Sequence, residues 1–177
     1  MKTAPELDVS EWLNTREPLS LEKLRGKVVV IEAFQMLCPG CVSHSLPQAI
    51  KIAQLFPQKD VQVIGLHTVF EHHEAQGSRE ALEAFIHEYK IPFPVAIDRQ
   101  TDKHLPATME TYQMQGTPTF ILIDKEGRLR KQKFGMTNDM QIGAEIMALM
   151  MEGETGDLDQ QAEAAPAGGC TPEGCSL

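Results

Sequence analysis

The chain contains no stretch that is long and apolar enough to cross a bilayer, which takes about 20 consecutive apolar residues. Met1 to Ser20 lacks the positively charged start and the apolar run of a secretory leader. If Met1 is the natural start, the expected compartment is the cytoplasm. Positive charge is scarce: 16 Lys and Arg stand against 25 Asp and Glu, a net charge of −9. Phosphate binding needs a basic surface, so a general nucleic-acid role is disfavoured, and a basic membrane-binding face is equally hard to find. No internal repeat is present. Cysteine is sparse, with four residues in two close pairs, Cys38/Cys41 and Cys170/Cys175. In a reducing compartment such pairs are more often catalytic or metal-binding than structural staples. What remains is ordinary: 177 residues, 42% hydrophobic and 23% charged, which suits one domain with a short appendage.

The most informative residues are Cys38-Pro39-Gly40-Cys41. Before them, Val28-Val29-Val30-Ile31-Glu32-Ala33-Phe34 is apolar and β-branched and predicts a buried strand. After them, Val42 to Phe56 carries apolar residues at helical spacing. A strand that runs into a CxxC at a helix start predicts a dithiol redox site. The helix N-terminus offers unpaired N–H groups and the positive end of the dipole, and both favour a thiolate. Pro47 lies inside this helix and predicts a kink.

Further along, Leu7 to Asn14 predicts a short strand or hairpin anchored by Trp12, and Ser20 to Leu24 a helical turn. Val61 to Leu66 predicts a second central strand. His67 to Gly77 reads as a polar loop. Ser78 is a good N-cap for a helix to about Tyr89 that buries Leu82, Phe85 and Ile86. Pro94 to Ile97 is a short extended piece, and Lys103 to Tyr112 has helical character despite Pro106. Thr119 to Ile123, the turn Asp124–Gly127 and Arg128 to Phe134 form a hairpin. Asn138 or Asp139 caps a last helix with Ile142, Ile146, Leu149 and Met150 on one side. This order implies an α/β fold with a central mixed sheet covered by helices on both faces.

The expected domain is 1–151, with a lead-in over 1–19. Residues 152–177 differ in composition. They are rich in Gly, Ala, Glu, Asp and Pro, with almost no large apolar residue, and predict a flexible acidic tail. Cys170 lies 19 positions after Met151. A flexible chain of that length reaches about 24 Å, enough to visit a CxxC in its own or a neighbouring subunit. The tail dithiol is therefore a candidate electron relay to Cys38/Cys41; a soft-metal site is the competing reading.

Three segments together carry a family resemblance: Leu21-Glu22-Lys23-Leu24-Arg25-Gly26-Lys27-Val28-Val29-Val30, the CPGC, and Gly116-Thr117-Pro118-Thr119-Phe120-Ile121-Leu122-Ile123-Asp124. Between about Ser20 and Met151 the chain resembles thioredoxin-fold proteins of the redoxin and TlpA-like branch, which is related to the AhpC/TSA peroxiredoxins. The resemblance implies a thioredoxin-like fold and thiol–disulfide oxidoreductase activity. It implies Cys38 as nucleophile and Cys41 as resolving thiol. Pro118 matches the family's cis-proline, with Thr117 presenting its backbone beside the CxxC. Thr117, Pro39 and Gly40 then become the substrate-facing residues. Glu32, an acid inside an apolar strand six residues before Cys38, matches a buried carboxyl that carries a proton to and from Cys41. No cofactor or resident metal is implied. The partners implied are a disulfide-containing protein or small molecule and a thiol reductant.

Departures from the pattern shape the alternatives. Gln35-Met36-Leu37 replaces an aromatic lead-in, which predicts a less rigid site surface. Gln35 also stands where a peroxiredoxin wants Thr or Ser, which weakens a thiol-peroxidase reading. Pro-Gly between the cysteines leaves the redox direction open. His67, His72 and His73, with Glu71 and Glu74, read as a solvated loop, and His44 as a surface residue. The readings carried forward are a thiol–disulfide oxidoreductase, a thiol peroxidase and a soft-metal carrier.

Overall fold

The computed structural model describes residues 2–152, together with the backbone of 170–171 and 174–175. Its centre is β2 (Val28–Phe34), buried at every position. Such a run has no solvent face, so it must lie inside a sheet that is covered on both sides. It pairs in parallel with β3 (Val61–His67) and antiparallel with β5 (Thr119–Ile123). β4 (Val95–Asp98) adds in parallel to β3, β1 (Val9–Leu13) closes one edge, and β6 (Leu129–Phe134) the other. The six-stranded order is β1-β4-β3-β2-β5-β6.

Alternation along the strands divides the core in two. Val28, Val30 and Phe34 face α1 (Leu46–Leu55), α3 (Arg79–Glu88) and α5 (Asp139–Met151) through Leu46, Ile52, Leu82, Ile86, Ile142 and Ile146. Val29, Ile31 and Ala33 face the opposite layer, where Met109 of α4 (Ala107–Thr111) packs with Leu21, Leu24, Tyr112 and Met114. The mixed sheet with helices on both faces matches the expected α/β class. The N-terminal lead-in is tied down: Glu6 accepts from the Leu21 and Glu22 amides, and Tyr112 donates to the Pro5 carbonyl.

Several expected elements take a different local form. Pro47 does not fall in the interior of a regular α-helix, where the helix expected over 42–56 would put it. Instead a π-helical turn, Cys41–Ser45, precedes α1, and the Leu46 amide donates to the Cys41 carbonyl five residues back. One wide turn places Pro47, which has no N–H to donate, at the start of regular α-helix. The expected 103–112 helix shrinks to α4, because the chain is extended at Pro106. The expected polar loop 67–77 contains a short α2 (His73–Gln76), and His67 belongs to β3. Ser78 does cap α3, accepting from the Ala81 amide, and Asn138 caps α5. In the tail, Cys170–Thr171 pairs antiparallel with Gly174–Cys175, with Cys170 opposite Cys175. The flexible linker expected over 153–169, and the tail thiols themselves, lie outside the described residues.

Asp98 shows how the layers are locked. It is fully buried and accepts from the Thr68 hydroxyl at 2.8 Å and from the Thr108 and Met109 amides at 2.8 and 3.0 Å. This joins the end of β4 to the end of β3 and to the first turn of α4. Asp98→Ala leaves these donors buried without an acceptor. It is expected to cost at least about 2 kcal/mol, seen as a lower urea midpoint at unchanged slope.

Candidate active site

The site forms where the C-terminal ends of β2 and β3 meet the loop that enters β5. Cys38 and Cys41 are joined by a disulfide with their Cα atoms 5.2 Å apart. Helical backbone begins at Pro39, a first-turn position where the missing N–H costs nothing. The two sulfurs differ in access. Cys38 is half-buried, whereas Cys41 is wholly buried in the α1 side of the core. The Cys41 amide points at Cys38 Sγ from 3.2 Å, so the start of the helix supplies a donor to the outer sulfur.

The Thr117–Pro118 peptide bond is cis. The Thr117 carbonyl oxygen lies 3.6 Å from Cys38 Sγ. A side-chain carbon built on Gly40 would lie 3.5 Å from Pro118 Cδ, so the helix start and the cis-proline loop approach each other closely at this glycine. Pro39 is exposed, and Gly40 and Thr117 are half-buried. The structure thus gathers Cys38, Pro39, Gly40, Cys41, Thr117 and Pro118 in one place.

Glu32 is 1% exposed, on the β2 face that also carries Val30 and Phe34. Its register partner on β3 is Gly65. Burial pushes its carboxyl up to about 8 from an ordinary 4.5, and a side-chain hydrogen bond with Ser45 offsets part of that rise. Among the described residues its Oε1 has no hydrogen-bond partner. The Ser45 hydroxyl also reaches the Cys41 carbonyl at 3.5 Å, so Ser45 links the carboxyl to the backbone of the inner cysteine.

The histidines and the lead-in differ from expectation. His67 is not in a solvated loop: it is 2% exposed, its ring packs on Phe34 at 5.3 Å, and its Nε2 has no hydrogen-bond partner among the described residues. Burial drives its imidazole down to about 4. The reason lies in β3, which runs one residue further than its apolar pattern suggests and carries His67 under α3. His72 and His73 are exposed, as expected, with Glu71 and Glu74. His44 is half-buried, and its Nε2 lies 2.8 Å from the Thr137 carbonyl. Gln35, expected in a loose lead-in, is 1% exposed and fully engaged: Oε1 accepts from the Phe70 amide and Gln76 Nε2, and Nε2 reaches Glu71. Among the described residues no group of three or more His, Cys, Asp or Glu is placed to hold a metal ion.

Sequence reasoning missed a second set of residues. Gln48 of α1 is 3% exposed. Its Nε2 donates to the Thr137 carbonyl at 3.1 Å and to Asp139 at 2.7 Å, and its Oε1 accepts from the Thr137 hydroxyl at 2.6 Å. The Gly135 amide in turn donates to the Pro118 carbonyl at 2.8 Å. The helix that carries Cys41 is thereby tied through residues 135–139 to the cis-proline loop. The available signal was a glutamine among the apolar positions of an amphipathic helix.

A buried acid behind a CxxC, with a cis-proline across from the outer thiol, defines a thiol–disulfide oxidoreductase of the thioredoxin type. Residues 2–144 match the Redoxin family model, and the chain belongs to that family. It is 28% identical to the thiol-disulfide oxidoreductase ResA of Bacillus cereus over 134 residues, covering 76% of this chain and 69% of ResA. It is 32% identical over 139 residues to Protein DipZ of Mycobacterium tuberculosis, covering 75% of this chain and only 18% of DipZ. Two solved structures are closer in sequence. A thioredoxin-like superfamily protein superposes with a TM-score of 0.83 at 53% identity, covering 86% of this chain and 98% of that one. A thiol-disulfide isomerase from Corynebacterium glutamicum gives 0.80 at 52% identity, covering 84% and 96%.

The buried groups predict a pH signature. Unfolded Glu32 ionises near 4.5 and folded Glu32 near 8, so its contribution to stability is present below 4.5 and lost as pH rises towards 8. His67 acts in the opposite sense: unfolded, it binds a proton below 6.5, and folded only near 4, so stability falls as pH drops through that window. Glu32→Gln removes only the first effect. Urea unfolding of the oxidised proteins is expected to show the variant gaining on wild type as pH is raised from 5 to 8.

Proposed function

We propose that Cys38 is the attacking thiol and Cys41 the resolving thiol in exchange with a disulfide-containing substrate. The observation that carries this assignment is the asymmetry of the pair. Cys38 is half-buried and receives the Cys41 N–H, whereas Cys41 is fully buried behind it. An amide directed at a sulfur stabilises its thiolate and lowers its pKa. The Cys38 thiolate attacks one substrate sulfur, the substrate S–S bond breaks, and the departing thiolate takes a proton from water. Ionised Glu32 then accepts the Cys41 proton. The Cys41 thiolate attacks Cys38 Sγ, forming the Cys38–Cys41 disulfide and releasing the second substrate sulfur. That sulfur is protonated as Glu32 returns its proton. A carboxyl held near 8 is suited to this role because it exchanges protons with a thiol near neutral pH. A thiol reductant then restores the dithiol.

The surroundings favour a protein substrate. Leu37, next to Cys38, is 55% exposed, and Met136, next to the residue bonded to Pro118, is 60% exposed. The Thr117 backbone lies beside the outer sulfur, where an extended peptide would pair with it. The tail dithiol completes the proposal: Cys170 and Cys175, on facing strands of a short hairpin, relay electrons between the CxxC and an external reductant.

Reduction of insulin disulfides tests the assignment. Cys38→Ser is expected to abolish turnover. Cys41→Ser is expected to accumulate a mixed disulfide on Cys38, visible by mass spectrometry. Glu32→Gln should slow resolution by about 100-fold while leaving the first attack little changed. Failure of wild type to form a Cys38–Cys41 disulfide at any glutathione ratio would sink the reading. Separately, Cys170→Ser with Cys175→Ser is expected to reduce steady-state turnover; unchanged kinetics with every reductant supplied would remove the relay.

A further inference from the structure

The segment after β3 is wired into the active-site lead-in by side-chain amides. Gln76, the last residue of α2, is 1% exposed. Its Oε1 accepts the Leu37 amide at 3.0 Å. Its Nε2 donates to Gln35 Oε1 at 3.0 Å and to the Glu71 carbonyl at 2.8 Å. Gln35 Oε1 also accepts the Phe70 amide at 3.2 Å, and Gln35 Nε2 reaches Glu71 Oε1 at 3.3 Å. The Gln35 carbonyl accepts the Cys38 amide at 3.2 Å. Two buried glutamines therefore hold the turn at Gln35 and Leu37, and the turn's own backbone bond closes it at Cys38. The glycine that follows is required for this closure: a side-chain carbon on Gly77 would lie 2.4 Å from the His73 carbonyl oxygen, which accepts the Gly77 amide.

We infer that Gln76 is a positioning residue for Cys38: segment 70–77 fixes the Leu37–Cys38 backbone so that Cys38 Sγ sits under the Cys41 amide and beside the Thr117 carbonyl. Leu37 is the lever. Its amide is tied inward to Gln76 while its side chain stands out beside the thiol. Released from Gln76, the Leu37 peptide turns its N–H to water, and Cys38 leaves the narrow range in which a 3.2 Å N–H···S contact stabilises charge. Cys41 is held separately by the core. The effect therefore falls on the outer sulfur and on the equilibrium between dithiol and disulfide. This inference rests on the functional assignment of Cys38 above.

The test is Gln76→Met, which keeps the side chain's length and removes its hydrogen bonds. Thiolate absorbance of the reduced protein is expected to titrate at higher pH than in wild type. The equilibrium with glutathione should shift towards the protein disulfide by about threefold to tenfold, the upper figure being about 30 mV. Gln76→Glu keeps an acceptor for the Leu37 amide but sets a carboxylate oxygen against the Gln35 Oε1 and the Glu71 carbonyl that Nε2 serves, so it is expected to leave the shift in place. Hydrogen exchange on the unmodified protein gives a second check: the Leu37 amide is expected to be protected although its side chain is exposed. Lower thermal stability of Gln76→Met with unchanged thiolate titration and glutathione equilibrium would reduce Gln76 to a structural role, as would free exchange at Leu37. None of these outcomes depends on the natural substrate. The functional assignment itself fails only if wild type does not form the disulfide, so the two failures are distinguishable.

Discussion

Everything at the site depends on the burial of β2 on both faces. A strand with no solvent side must pair with a neighbour along each edge, because an unpaired backbone group there would be costly. The β3 and β5 ladders meet that need and fix the register. Glu32 is held opposite Gly65 and Phe120, and Phe34 opposite His67. The chain then leaves the sheet at Gln35, at the edge where β3 ends and the loop into β5 begins. The CxxC and the cis-proline share one location because each is a short extension of one of two neighbouring strands, β2 and β5, while the buried acid lies within β2 itself.

A second constraint follows. The site is built from segments distant in sequence, and buried side-chain amides fasten them. Gln35 and Gln76 tie the lead-in to the segment after β3. Gln48 ties the helix of Cys41 to Thr137, and the Gly135 amide ties that loop to Pro118. A primary amide suits this work: it donates and accepts at once, and it carries no charge to desolvate. One ion pair, Lys51 with Asp139, joins α1 to the start of α5, and a larger ionic cluster lies at the β5–β6 turn. Asp124 with Arg128 and Arg130 locks the β5–β6 turn, and Arg130 reaches on to Glu152 at the end of α5.

Much of this was legible in the residues. The apolar run 28–34, the interrupting Glu32, the Ser78 and Asn138 caps and the 119–134 hairpin each express a local rule, and each formed as that rule directs. Other features followed rules that act across the chain. Pro47 signalled an interrupted helix, but that the interruption would be a π turn ahead of the proline was not readable locally. His67 looked polar and exposed, yet the length of β3 is set by its pairing with β2 and β4, which carried the imidazole into the core. Gln35 looked like a loose substitute for an aromatic residue, yet its partners, Phe70, Glu71 and Gln76, lie more than thirty positions away.

The sequence by itself determined the class of the protein, because strand period, helix start and cysteine spacing are properties of short windows. The family resemblance pointed to the acid and the proline, and the structure gives the first as buried and the second as the residue after a cis peptide bond. Tertiary structure alone decided which polar side chains are buried, and which of those carry the site's geometry. Burial and long-range pairing depend on how strands stack and where loops fold back. A glutamine in a polar segment and a glutamine under a cysteine turn read alike until the chain closes over one of them.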